Sequence, residues 1–158
     1  MQKITPFLWF DNQAEEAMNF YCSVFKDSKK GRIARYGDAG PAPKGTVMTC
    51  EFTLNGQDFI ALNAGPLFKF NEAISFVIDC KNQEEVDYYW EKLTADGGQE
   101  SMCGWLKDKF GLSWQVVPSR LTELLLDKNP AKAKKVTEAM MTMKKIDIKQ
   151  LEDAYASA

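Results

Sequence analysis

The chain has 158 residues, enough for one ordinary domain that buries roughly two-thirds of its unfolded surface. Its composition is that of a water-soluble globular protein, and a formal charge of −2 supplies no general attraction to nucleic acid or to an anionic membrane. The opening residues Met1 to Pro6 carry no long apolar run and no later stretch reaches the roughly 20 apolar residues of a membrane span, so a cytoplasmic protein with neither partner is expected.

Residues 3–10 are apolar on both parities, as in a strand covered on both faces. Asn12 followed by Glu15 reads as a capping box, and Ala14, Ala17, Met18, Tyr21 and Phe25 recur at helical spacing behind it. Gly31 to Tyr36 is a second strand, and the glycine- and proline-rich stretch from Gly37 to Gly45 is a loop. Thr46 to Leu54 and Asp58 to Leu62 are strands joined through Asn55-Gly56, a strong hairpin signal. Ala64 to Asn71 connects to a further strand at 73–80, after which Asn82 and Glu85 cap a helix with Val86, Tyr89, Trp90 and Leu93 on its buried stripe. Short strands near 99–107, a turn at Lys109-Phe110-Gly111 and a strand from Leu112 to Val117 complete this part.

After Pro118 the pattern is helical. Ser119 opens a helix bearing Leu121, Leu124 and Leu125; Asn129-Pro130 opens one with Ala133, Val136, Met140 and Met143 on one face; Asp147 with Gln150 opens a third with Ile148, Leu151 and Tyr155. The methionine stripe suits either packing, in the core or against a second subunit, or an adaptable groove.

The two strand–helix units repeat. An ungapped shift of 69 positions lays residues 4–25 on the second unit, with Phe7 on Phe76, Glu15-Glu16 on Glu84-Glu85 and Phe20-Tyr21 on Tyr89-Trp90. The expected architecture is α+β: tandem βαβββ modules over 1–118, module one about 1–66 and module two about 72–118, followed by a helical extension at 119–158. A ligand is expected in the seam between modules. The four cysteines lie far apart without a Cys-x-x-Cys pair, and there is no histidine, so buried thiols are expected rather than a zinc clamp or a redox dithiol.

Asp108-Lys109-Phe110-Gly111-Leu112-Ser113-Trp114-Gln115-Val116 closes the second module with a signature that resembles the vicinal oxygen chelate superfamily of glyoxalases and antibiotic-resistance proteins. Ile4 to Phe10, Phe20-Tyr21, Phe59 to Pro66, Cys103 to Asp108 and the Met-Lys-Lys-Ile-Asp-Ile tail at 143–148 are similar, in that order, to its PhnB-like branch. The resemblance implies the glyoxalase/bleomycin-resistance-like fold and a divalent metal held near the start of each opening strand and on each closing strand. Residue by residue, those positions carry Pro6, Ser75, Ile60 and Gln115. Proline and isoleucine have no donor, and a neutral hydroxyl with a neutral amide does not hold such an ion against water, so no metal and no cofactor are expected. Members of this branch are often labelled demethylubiquinone methyltransferase-like. That reaction needs S-adenosylmethionine, whose usual site is a glycine-rich loop between a strand and a helix, whereas the glycines of 37–45 are interrupted by Pro41 and Pro43 and lead into a strand.

If the opening strand turns Pro6 into the cleft, alternation turns Leu8 and Phe10 inward as well, and sends Phe7 and Trp9 to the helix-covered face. In the second module Ser75, Val77 and Asp79 face in, opposite Gln115. The result is an apolar pocket with a few polar groups; the other possibility is a filled barrel without a cavity. Phe68, Phe70 and Trp105 lie on loops that either close over the cleft or pack on the C-terminal helices or a second subunit, and Asn63 is either a turn residue or a ligand contact. The expected function is metal-free binding of a small apolar or aromatic molecule by a homodimer, with no catalytic residue evident. A metal-independent lyase, isomerase or transferase and a non-catalytic structural module are the alternatives.

Overall fold

The computed structural model describes residues 2–158. The chain divides into two compact units, the first ending at Phe70 and the second running Asn71–Ala158. The first contains β1 (Phe7–Phe10), α1 (Ala14–Val24), β2 (Ser28–Arg35), β3 (Val47–Leu54) and β4 (Gln57–Asn63). Its sheet order is β1-β4-β3-β2, with β1 parallel to β4 and the other pairs antiparallel. Asn55 and Gly56 both have positive φ, the geometry a two-residue β-hairpin turn demands.

Helix α1 buries Ala14, Ala17, Met18, Tyr21 and Val24. The Tyr21 ring stacks on Phe52 at 6.0 Å, and Phe52 stacks on Phe59 at 5.5 Å. Each such ring removed from water contributes about 1.5–3 kcal/mol, so this column anchors the helix to the sheet and defines its helix-covered face. By register Cys50, Ala61 and Leu8 share that face, and so does Phe10. The structure therefore reverses the parity expected for β1: Leu8 and Phe10 are buried on the helix side, while Phe7 is 55% exposed on the other.

The second unit repeats the pattern with β5 (Ser75–Cys80), α2 (Gln83–Thr94), β6 (Gln99–Glu100), β7 (Trp105–Lys107) and β8 (Ser113–Pro118), in the order β5-β8-β7-β6. Comparing the units explains the reversal. Helices α1 and α2 start 69 positions apart, but the burial pattern of Phe7–Phe10 matches that of Val77–Cys80, 70 positions on. The first unit has one extra residue between strand and helix. A one-residue slip moves every side chain of a strand to the other face, so an ungapped alignment that fits the helices misplaces the strand.

The same slip relocates the cap. The N-cap of α1 is Gln13, with no side-chain hydrogen bond, rather than Asn12. Asn63, the last residue of β4, supplies the acceptor: its Oδ1 takes the Ala14 N–H at 2.8 Å while its Nδ2 donates to Val47 O at 3.3 Å. In α2 the expected Asn82 cap forms, accepting from the Glu85 N–H at 2.9 Å, and Glu85 in turn accepts from the Lys81 N–H at 2.8 Å.

The closing signature of the second unit is a structural device. Asp108 is buried, and its carboxylate accepts from the backbone N–H groups of Phe110 and Leu112 and from the Trp114 indole at 2.9–3.1 Å. Those charge-assisted bonds hold the Asp108–Leu112 connection and orient Trp114 under α2.

Three helices follow, α3 (Ser119–Leu125), α4 (Pro130–Met140) and α5 (Ile148–Ala156). Leu121, Leu124, Val136, Met143, Ile146 and Leu151 form one buried cluster, with Val117 at the end of β8 packed against it. Asn129 and Asp147 cap α4 and α5 as their sequence positions predict, whereas Ser119 does not cap α3. The 143–148 tail is tied to the second unit at four points: Cys103 and Gly104 N–H donate to Met143 and Lys144 carbonyls, and the Gln83 amide bonds both Ile146 O and Ile148 N–H. Gly104 is required there, because its φ is +83° and a Cβ would meet Val116 O at 2.8 Å. No helix among the described residues is long and apolar enough to cross a membrane.

Candidate functional site

In the second unit the side of the sheet away from α2 gathers half of the residues expected at a site. Alternation from the buried Ile78, Cys80, Leu106, Trp114 and Val116 leaves Ser75, Val77 and Asp79 of β5, Trp105 and Lys107 of β7, and Ser113, Gln115 and Val117 of β8 on this face. Register lays them out in transverse rows, Ser75 beside Ser113 and Lys107, then Val77 beside Gln115 and Trp105, then Asp79 beside Val117. Trp105 thus belongs to one of the short strands expected near 99–107 and not to a loop over the cleft.

Gln115 Nε2 donates to Ser75 Oγ at 2.9 Å. This pairing fixes the amide and leaves Gln115 Oε1 as an acceptor on a half-buried residue that pairs in register with Trp105. Asp79 Oδ1 accepts from Ser119 Oγ at 2.7 Å, so that serine ties α3 to β5 instead of capping its own helix. Lys107 Nζ pairs with Glu72 at 2.8 Å, which holds the Glu72 carboxyl below its usual range. Val77 is 60% exposed, and Ser113 Oγ is enclosed with no hydrogen-bond partner among the described residues.

The remaining expected residues lie in the first unit and serve its packing. Leu8 and Phe10 belong to the helix-covered core. Phe68 meets Trp9 edge-on at 4.9 Å and Phe70 meets Phe10 at 5.2 Å, so the segment after β4 folds back onto the opening strand of its own unit. Trp9 Nε1 donates to Gly65 O at 2.9 Å and secures the same segment. Asn63 is the cap of α1 rather than a turn residue, and it also borders a cavity of about 700 Å³ with Asp11, Glu15, Arg35, Tyr36 and Pro43. The sequence gives no sign of that cavity beyond the Pro41–Pro43 segment that lines it.

The donor set does not suit a divalent metal. Ile60 and Gln115 do occupy matching places, facing Phe7 and Val77 on the opening strands. Ile60 has no donor atom, and Ser75 and Gln115 are neutral and bonded to each other. No group of three or more His, Cys, Asp or Glu placed to hold a metal occurs among the described residues. Two of the four free thiols are poor nucleophiles, because burial pushes Cys50 up to about 11 and Cys80 up to about 12 and both are fully enclosed, whereas Cys22 and Cys103 are only partly buried.

Comparison with known proteins gives a consistent result. The family model for 3-demethylubiquinone-9 3-methyltransferase matches residues 2–117. A solved structure described as a putative 3-demethylubiquinone-9 3-methyltransferase, PhnB protein, from Bacillus cereus is 42% identical, covering 75% of this chain and all of that one, with a TM-score of 0.68. A protein from Pseudomonas aeruginosa shares the fold at 20% identity and a TM-score of 0.61, over 75% of this chain and 98% of its own. The fosfomycin resistance protein FosX from Listeria monocytogenes does so at 14% identity and 0.59, over 80% of this chain and 98% of its own. No curated protein matches.

Proposed function

From the premise that this chain belongs to the 3-demethylubiquinone-9 3-methyltransferase family, in the PhnB-like branch of the vicinal oxygen chelate superfamily, we propose that it binds a small apolar or aromatic molecule without a metal. The ligand lies on the face of the second unit's sheet that is turned away from α2. The observation that carries this reading is the Gln115–Ser75 pair, an amide fixed by 2.9 Å contact beside Trp105 and the exposed Val77. An apolar platform with a few oriented polar groups is how small-molecule sites are usually made. Trp105 and Val77 supply contact area, and Gln115 Oε1 orients a donor on the ligand.

Methyl transfer, the reaction in the family model's name, is the weaker reading. The strand-to-helix connections, Asp11–Gln13 and Lys81–Asn82, contain no glycine, and the glycine-rich segment joins β2 to β3. The proposal includes a homodimer, for which Ile4, Leu67 and Leu126, each more than 70% exposed, are candidate contacts. Sedimentation at micromolar concentration tests that part, a monomer being the contrary result.

Ligand-detected NMR with a set of small aromatic alcohols and amides tests the binding itself, repeated on Gln115→Ala. Removing the amide from a ligand contact costs on the order of 1–3 kcal/mol of affinity with little change in melting temperature. A lower melting temperature with unchanged affinity would assign Gln115 to the scaffold.

A further inference from the structure

We infer that Lys107, Ser113 and Ser75 form an anion-binding row at one end of this face, so that the molecule bound there carries a carboxylate or phosphate group on its apolar or aromatic body. The inference rests on the reading of the face as a small-molecule site. Ser113 pairs with Ser75 on one side and with Lys107 on the other, which sets three donor-bearing side chains abreast on adjacent strands. Directly opposed side chains on neighbouring strands lie about 5 Å apart at Cβ, close enough for one group to reach them together.

Each member has donor capacity that the protein leaves open. Ser113 Oγ is enclosed and has no hydrogen-bond partner among the described residues, an arrangement that costs stability unless something else bonds to it. Ser75 Oγ accepts from Gln115 Nε2, and its own proton has no acceptor among the described residues. Lys107 carries the only charge of the row itself, and Glu72, which precedes β5, holds its ammonium at 2.8 Å. Two hydroxyls and an ammonium are all donors, and an anionic oxygen is the acceptor that suits them.

Glu72 acts as the row's own stand-in for that anion. Its side chain is 60% exposed and held through Lys107, so an incoming acid competes with it for the ammonium. The next row, Val77, Gln115 and Trp105, receives the rest of the molecule. The order of the two rows, charged then apolar, defines the polarity with which the ligand lies.

Calorimetric titration of the full chain with benzoate, phenyl phosphate and benzyl alcohol tests this. At least one of the two anions binds about tenfold tighter than the alcohol, and the better of them identifies the group. That preference collapses in Lys107→Met, grows several-fold in Glu72→Gln, and falls in Ser113→Ala without loss of melting temperature. Equal affinity for all three compounds, unchanged in Lys107→Met, would overturn the anion row and leave the apolar site standing. No binding of any of the three at millimolar concentration would overturn both. A Ser113→Ala variant that loses stability yet keeps the anion preference removes Ser113 from the row.

Discussion

The two sheets share a topology and a parity but not a surface. Away from its helix, the first presents Phe7, Trp9, Ile60 and Leu62, with Phe68 laid on Trp9. The second presents Ser75, Asp79, Ser113, Gln115 and Lys107 around Val77 and Trp105. The helix-covered faces have stayed alike, Leu8 and Phe10 matching Ile78 and Cys80 in burial. Packing against a helix constrains a position by volume and leaves the opposite position free to change, so the duplicated scaffold has diverged where it carries little of the stability.

The connection before each closing strand gives the largest expected contrast. In the first unit two residues, Asn55-Gly56, make the turn; in the second, the longer Asp108–Leu112 segment depends on one buried carboxylate. Asp108→Ala strands two backbone N–H groups and an indole, and a loss on the order of 3–5 kcal/mol is expected in urea unfolding. Asn55→Ala, which places a less suitable residue at positive φ, is expected to cost about 1 kcal/mol. Comparable losses would mean that Asp108 is not the brace of its unit.

Gly104→Ala comes next, because a Cβ at φ +83° meets a carbonyl oxygen. A loss of about 2–3 kcal/mol in thermal or urea unfolding is expected. Gln83→Ala then removes two hydrogen bonds to the 143–148 tail, and about 1–2 kcal/mol is expected, with faster hydrogen exchange confined to residues 143–156. Uniform acceleration across both units would show that the tail is not separately docked.

The thiols provide the smallest test, and one shared by both units. Cys50 and Cys80 have folded-state values raised to about 11 and about 12 by burial. A raised value means the folded state keeps its proton where the unfolded chain loses it. Their contribution is therefore whole below pH 9 and is lost as pH climbs through 11 to 12. Urea midpoints measured from pH 7 to 11 should fall only above about 9 on this account, less steeply in Cys80→Ala than in the parent.

Much of the fold is legible in the sequence because the carriers are local: Asn55-Gly56, Asn82 with Glu85, Asn129 and Asp147 each announce an element end through their own chemistry. The face of β1 is not. Helices start at matching places while the strand before one of them is offset by a residue, and alternation turns that offset into a complete exchange of Leu8 and Phe10 for Phe7 and Trp9. Asn63 illustrates a second limit, since its partners Ala14 and Val47 are distant in sequence and nothing near it marks a cap. In the second unit the same alternation, anchored at Trp114 and Val116, places Ser75, Val77, Asp79 and Gln115 on one face as their spacing predicts. Lys107 and Ser113 escape notice because their significance lies in register across β7 and β8.

The contrast between the two faces is tested most directly by amide and indole NMR of the labelled full chain titrated with benzoate and with benzyl alcohol. The account predicts shifts concentrated at Ser75, Val77, Trp105 and Gln115, extending to Lys107 and Ser113 with benzoate alone. Shifts centred instead on Trp9 and Leu62, or on the Asn63 cavity of the first unit, would contradict it.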